Sequence, residues 1–126
     1  LVGRGPGVFE RRTVRVSMGA AWALPVIQRP DPAPLLEAWR ARPPAGEIVG
    51  AALAAGATDA HAWRPLSRTA LVLGPEGYGL DETWMKRCDR LVAIPMARGV
   101  DSLNVAAAGA ILMFALQGGS AGLPES

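Results

Sequence analysis

Gly74, Gly77 and Gly79 follow a short apolar run ending at Leu73, and one carboxylate, Glu76, sits among them. Glycines after a buried strand let the backbone turn sharply and approach a ligand closely, which first suggests a nucleotide loop. The order Gly-x-x-Gly-x-Gly is neither the dinucleotide fingerprint nor a P-loop, which needs a Lys and a Ser or Thr. Glu76 would also repel a phosphate, whereas it suits orienting a hydroxyl or a neighbouring turn of backbone. The expected ligand is therefore not a phosphate. A second cluster runs from Ile94, Pro95 and Met96 through Asp101 and Ser102 to Leu103, Asn104 and Val105. Strand exit, turn and helix start are compressed there, with Asp101 or Ser102 as the expected cap and Ser102 and Asn104 where free helix amides gather. That composition builds the polar edge of a pocket. Taken singly, each residue also has a bland role: Ser102 as an ordinary cap, Asn104 as a satisfied buried amide, Met96 as core filler.

These residues need elements to position them. Residues 10–23 carry Val14, Met18, Ala21 and Trp22 at helical spacing, and residues 24–28 are a short apolar run opened by Pro25, which predicts a helix and then a strand. Arg29, Pro30, Asp31 and Pro32 read as a turn with a capping Asp, before a helix with Leu35, Leu36 and Trp39 on one face. A strand is expected at 47–53, and the alanine- and glycine-rich stretch 51–62 reads as loop. Apolar runs at 70–73 and 91–96 predict strands, separated by a helix at 81–87 and followed by a long helix ending at Gly118 and Gly119. Short strands buried on both faces and alternating with helices argue for an α/β fold, a mostly parallel sheet with helices on both faces. The last helix is apolar nearly all round, and Ala106, Ala107, Ala108, Gly109 and Ala110 permit close packing against another layer or another subunit, so burial on more than one side is expected. The expected organisation is a flexible start at 1–9, one domain at 10–118 and a frayed tail at 119–126.

Composition narrows the classes. The chain has 126 residues, half of them apolar, enough for one core. Its longest apolar stretch, 105–116, is shorter than the roughly 20 residues a bilayer span needs. No export signal is visible at the start, so a cytoplasmic location is expected. One cysteine, Cys88, and one histidine, His61, make neither an internal disulfide nor a closed metal site, and no metal is expected. The net charge of +2 hides a choice of cation, because Lys86 is the only lysine among 13 basic residues. Arginine suits bidentate phosphate contacts, and Arg4, Arg11, Arg12 and Arg15 cluster at the start as a cationic arm fit for nucleic acid. A GC-rich genome produces the same bias, so the arginines alone do not decide the matter. His61 reads as a surface or packing residue, Cys88 as a packed thiol, and Tyr78 either lines a pocket or shields the loop.

Together, the two segments resemble motifs 2 and 3 of the SpoU/TrmH family of SPOUT-class RNA 2′-O-ribose methyltransferases. In that family a strand ends in Leu-Gly-x-Glu-Gly-x-Gly, then comes Ile-Pro-Met, and Ser-Leu-Asn-Val opens the last helix; Leu73 to Gly79, Ile94 to Met96 and Ser102 to Val105 reproduce all three in order. Val14, Arg15, Val16, Ser17, Met18, Gly19 and Ala20 resemble a further family stretch. The resemblance implies a SPOUT α/β knot, with a C-terminal trefoil knot holding S-adenosylmethionine. By position it implies Gly74, Ile94, Met96 and Leu103 as cofactor-binding residues and Glu76, Ser102 and Asn104 as catalytic positions facing the reaction centre. Main-chain and apolar recognition of adenine and methionine accords with glycines and Ile or Leu rather than a charged cradle. It also implies an RNA substrate, rRNA or tRNA, and a homodimer joined through the knot region and last helix.

The sequence departs from the family at motif 1, an N-terminal strand and loop with an Asn and an Arg that helps deprotonate the ribose hydroxyl. No counterpart stands before Gly19, and Arg11, Arg12 and Arg15 lie in the wrong context to supply it. The N-terminal part of the domain is thus expected to be missing, and the chain is expected to bind the donor without methylating RNA unaided. The alternative is a non-catalytic homologue that binds S-adenosylmethionine or RNA, against which the intact Glu76, Ser102 and Asn104 weigh. An unrelated α/β domain with accidental glycine loops is the third reading.

Overall fold

The computed structural model of the chain describes Gly7, residues 9–97 and residues 103–118. The expected flexible start, apart from Gly7 and Phe9, and the expected frayed tail lie outside the described residues, as do Asp101 and Ser102. The chain divides into two compact units, one up to Glu37 and one from Ala38 onward.

The first unit opens with α1 (Arg11–Val16), followed by a single 3-10 turn (Ala20–Trp22). The continuous helix expected over 10–23 is broken here, because Met18 (φ 53°) and Gly19 (φ 86°) both take left-handed backbone. Ser17 bridges the break: its hydroxyl donates to the Val14 carbonyl at 2.9 Å and accepts from the Ala21 amide at 3.3 Å. No strand forms over 24–28. Pro25 removes a ladder donor there, and Leu24 and Ile27 are both exposed. Helix α2 (Ala33–Arg40) begins where expected, with the Asp31 carboxylate accepting from the Ala33 amide at 3.0 Å.

The second unit carries β1 (Glu47–Ala51), β2 (Thr58–Asp59), β3 (Thr69–Val72), α3 (Glu82–Arg87), β4 (Arg90–Ala93) and α4 (Val105–Gly118). The four strands form one sheet in the order β2-β4-β1-β3, and every pair is parallel. Strand β2 falls inside the stretch expected as loop; two residues of small and polar side chains carry no periodicity, and only pairing with β4 reveals them. One sheet face presents Val49 and Val92, which pack with Trp63 of the loop before β3 and Leu112 of α4. The opposite face is covered from α3's side. A Cβ built on Gly50 would lie 2.7 Å from Leu80, 2.8 Å from the Cys88 sulfur and 3.0 Å from Leu91. Helices therefore flank both faces, as the buried strand pattern of β1 requires.

At the amino ends of the strands, charges set the register. Asp89 accepts from the Ile48 amide and from Arg40, each at 2.8 Å, and the Arg90 side chain donates to buried Glu47 at 2.9 Å. Before β3, Arg68 lies over the Trp39 ring and donates to the carbonyls of Trp39, Arg42 and Pro44, tying down the segment after α2.

Cys88 is a packed thiol, donating to the Trp84 carbonyl at 3.2 Å. Burial, with the Asp89 carboxylate beside it, pushes its pKa up from 9.0 to about 11. The unfolded thiol ionises first as pH rises, so this contribution to stability is complete below pH 9 and is lost towards about 11. Urea unfolding is accordingly expected to show a fall in stability from near-neutral to strongly alkaline pH that is smaller in Cys88→Ala. An equal fall in both proteins would show that the thiol does not titrate in this way.

Candidate functional site

A cavity of about 330 Å³ opens outside the carboxyl ends of β1, β3 and β4. Ligands of open parallel sheets bind at such an end, beside the strand from which the chain departs to one side and returns on the other. Here that strand is β1. Its exit residues, Ala51, Ala52 and Leu53, form one wall; the loop 73–80 forms a second, and Ile94, Met96, Leu103 and Val105 a third, with Leu112 of α4 also lining the space.

The loop owes its shape to a backbone crossing. A side chain at Gly74 would collide with the main chain of Gly79 and Leu80, so only glycine lets the two ends of the loop meet. The Gly79 amide then donates to the Pro75 carbonyl at 3.1 Å, and Gly77 (φ 87°) and Gly79 (φ 67°) use left-handed backbone to make the turn. The loop passes into α3 through Asp81, whose carboxylate caps that helix by accepting from the Trp84 amide at 2.8 Å.

Helix α4 is capped by Asn104; the caps expected from sequence, Asp101 or Ser102, lie outside the described residues. The Asn104 carboxamide oxygen accepts from the amides of Ala106 (2.9 Å) and Ala107 (3.2 Å), and its nitrogen donates to Glu76 at 3.0 Å. The helix then approaches the loop closely, since a Cβ on Gly109 would lie 3.1 Å from Leu73. Among the described residues nothing covers its far side. Leu112 is fully buried, whereas Ile111, Met113 and Phe114 are exposed, Phe114 by 77%.

The structure thus brings Gly74, Glu76, Ile94, Met96 and Leu103 into the lining of one cavity and joins Asn104 to it through Glu76. Ser102 lies outside the described residues. Tyr78 stands at the cavity's edge, 92% exposed. His61 and Cys88 take no part in the lining. Sequence reasoning missed Ala51, Ala52 and Leu53, and also Met85; the rule that ligands gather at strand carboxyl ends would have found the first three. Among the described lining residues Glu76 is the one charged side chain at neutral pH. The wall is otherwise apolar or main chain.

The SpoU rRNA Methylase family model matches residues 1–114 of this chain. The chain belongs to that family. A 23S rRNA (uridine(2479)-2′-O)-methyltransferase of Streptomyces viridochromogenes is 34% identical over 117 residues, covering 90% of this chain and 40% of the relative. A 23S rRNA (guanosine-2′-O-)-methyltransferase of Haemophilus ducreyi is 37% identical over 100 residues, 79% of this chain and 40% of its own length. The chain therefore spans about 40% of the length of these curated relatives. Among solved structures, the SpoU methyltransferase AviRb of S. viridochromogenes with AdoMet matches with a TM-score of 0.80 at 34% identity, over 94% of this chain and 48% of that one. The AdoMet-bound rRNA methyltransferase of Sinorhizobium meliloti matches with a TM-score of 0.83 at 28% identity, over 97% and 46%.

The crossing at Gly74 predicts an asymmetry between two glycines of one loop. Gly77→Ala meets open space and carries only the left-handed backbone cost, on the order of 1–2 kcal/mol. Gly74→Ala must separate two backbone segments and is expected to cost more, with loss of the cavity. Urea unfolding of both variants measures this, and equal destabilisation would show that the crossing is not what requires glycine at 74.

Proposed function

We propose that this chain carries the donor-binding part of an S-adenosylmethionine-dependent RNA 2′-O-ribose methyltransferase acting on rRNA or tRNA. The observation that carries the reading is the joining of the two motif segments at the Asn104–Glu76 hydrogen bond, on the rim of an apolar cavity at the strand carboxyl ends. The cavity's size lies in the range of small-molecule sites, roughly 300–1,000 Å³. Its single negative charge suits a sulfonium cation and disfavours a phosphate. When bound, S-adenosylmethionine supplies an activated methyl group on sulfur. Gly74, Ile94, Met96 and Leu103 would hold it by main chain and apolar contact and exclude water. Glu76, oriented by Asn104, would face the reaction centre together with Ser102.

Methylation of a ribose 2′-oxygen also requires removal of the hydroxyl proton. The described lining offers no histidine, lysine or arginine, and the one carboxylate is already engaged by Asn104. These 126 residues alone are therefore expected to bind the donor and leave RNA unmethylated. In the same reading the fold is a SPOUT α/β knot with a C-terminal trefoil knot, the protein works in the cytoplasm, and the exposed apolar side of α4 joins two copies into a homodimer. The alternative of a non-catalytic S-adenosylmethionine- or RNA-binding homologue is favoured only by that missing base.

Two measurements test this. In calorimetric titration, S-adenosylmethionine and S-adenosylhomocysteine are expected to bind, and Asn104→Ala to weaken both by releasing Glu76, while destabilising the fold by about 1 kcal/mol through loss of the cap. No binding by the folded chain would overturn the donor reading. In light scattering the chain is expected to be a dimer that Phe114→Glu converts to a monomer; an unchanged mass would remove α4 from the interface.

A further inference from the structure

The unit that ends at Glu37 carries a surface built from residues none of which lines the cavity. Arg11, Arg12 and Arg15 of α1 are all exposed. At about 100° per residue they fall within an arc of about 100° on the helix surface, and α1 contains no acid. The neighbouring carboxylate, Glu10, is turned back to the Gly7 amide at 2.8 Å. Among the described residues the three guanidiniums make no ion pair. Three like charges on two turns repel one another, and nothing within the helix offsets this.

Close in sequence on either side of α1 stand the members of an aromatic pair. Phe9 and Trp22 stack with ring centroids 4.8 Å apart and planes at 22°, yet they are 51% and 66% exposed. Ser17, through its bonds to Val14 and Ala21, holds the turn bearing Trp22 to the end of α1. Stacked rings that leave their outer faces in water do little for a core, but they offer a platform for one more planar group.

We propose that the basic face of α1 and the Phe9–Trp22 pair form a docking surface for single-stranded RNA. The arginines take backbone phosphates, and an unpaired base stacks on the open aromatic face. The charge is complementary to a polyanion, and stacking requires a base free of its duplex, which favours a single strand over a double helix. This deepens the reading of the chain as part of an RNA-modifying protein and rests on that reading for its choice of ligand.

The test is fluorescence anisotropy of a short labelled single-stranded oligoribonucleotide over a salt series, using the whole chain. Arg11→Gln/Arg12→Gln/Arg15→Gln is expected to weaken binding and to reduce the steepness of the log affinity against log salt plot by about 2, at ~0.7 for each phosphate no longer neutralised. Trp22→Leu is expected to weaken binding about tenfold with the salt slope unchanged. S-adenosylmethionine titration of the same variants is expected to match the unaltered chain. Unchanged RNA affinity and slope in the arginine variant would overturn the surface, as would equal binding of a duplex. A shift in dimerisation by Trp22→Leu with RNA affinity intact would assign the patch to a subunit contact instead and overturn it too. Failure of donor binding with the RNA results as expected would sink the donor reading and leave this surface standing.

Discussion

Every polar atom of one carboxamide is engaged where the two motif segments meet. The Asn104 oxygen takes two free amides of α4, and its nitrogen holds Glu76 in the glycine loop. Helix α4 has no acidic residue in its first turn, so this cap is its polar anchor there. Aspartate, ordinarily as good a cap, would face Glu76 with a like charge and could not donate to it. The choice of Asn follows from doing both tasks at once. The loop can present Glu76 to that amide because the main chain at Gly74 touches that of Gly79 and Leu80, leaving no room for a side chain.

The sheet separates its polar and apolar work by end. At the amino ends, Asp89 and the Glu47–Arg90 pair fix the strands by hydrogen bonds to charged groups, which are stronger than neutral ones. One oxygen of Glu47 stays buried without a partner, a cost that a pair of this kind bears unless fully satisfied. At the carboxyl ends the walls are mostly apolar side chains and main chain, with Glu76 the one charge among the described lining. The rigid, charged end keeps the register, and the apolar end is left free to take a ligand.

Legibility followed the strength of the local signal. Strands β1, β3 and β4 and helices α2 and α3 were readable because their apolar runs or stripes are bounded by Pro, Gly or a capping Asp. The break in the first helix was not, since Met18 in left-handed backbone contradicts its own propensity, and Gly19 beside it was read as part of a motif rather than as a stop. The run at 24–28 has strand composition but pairs with no neighbour among the described residues, and β2 has a neighbour but no strand composition. Both errors come from the same fact, that a strand is defined by its partner. Most of the candidate wall was legible through the motif resemblance. The role of Asn104 was not, because a side chain bridging Glu76 to a helix start depends on a contact across 28 positions of chain.

The two ligands implied by the family have opposite charge, one a sulfonium and the other a polyanion. A single basic pocket would attract RNA and repel the donor. In this chain the cavity wall carries one formal charge, Glu76, and it is negative, whereas the exposed arginines of α1 belong to a segment that contributes nothing to the lining. In the proposed reading the two signs stand on different elements, so that each ligand would meet a charge opposite to its own. In that reading arginine serves better than lysine, because a planar guanidinium can meet phosphate in a bidentate way and also lie against a base. The overall charge of +2 conveys neither property, because it sums a division of labour that only the positions reveal.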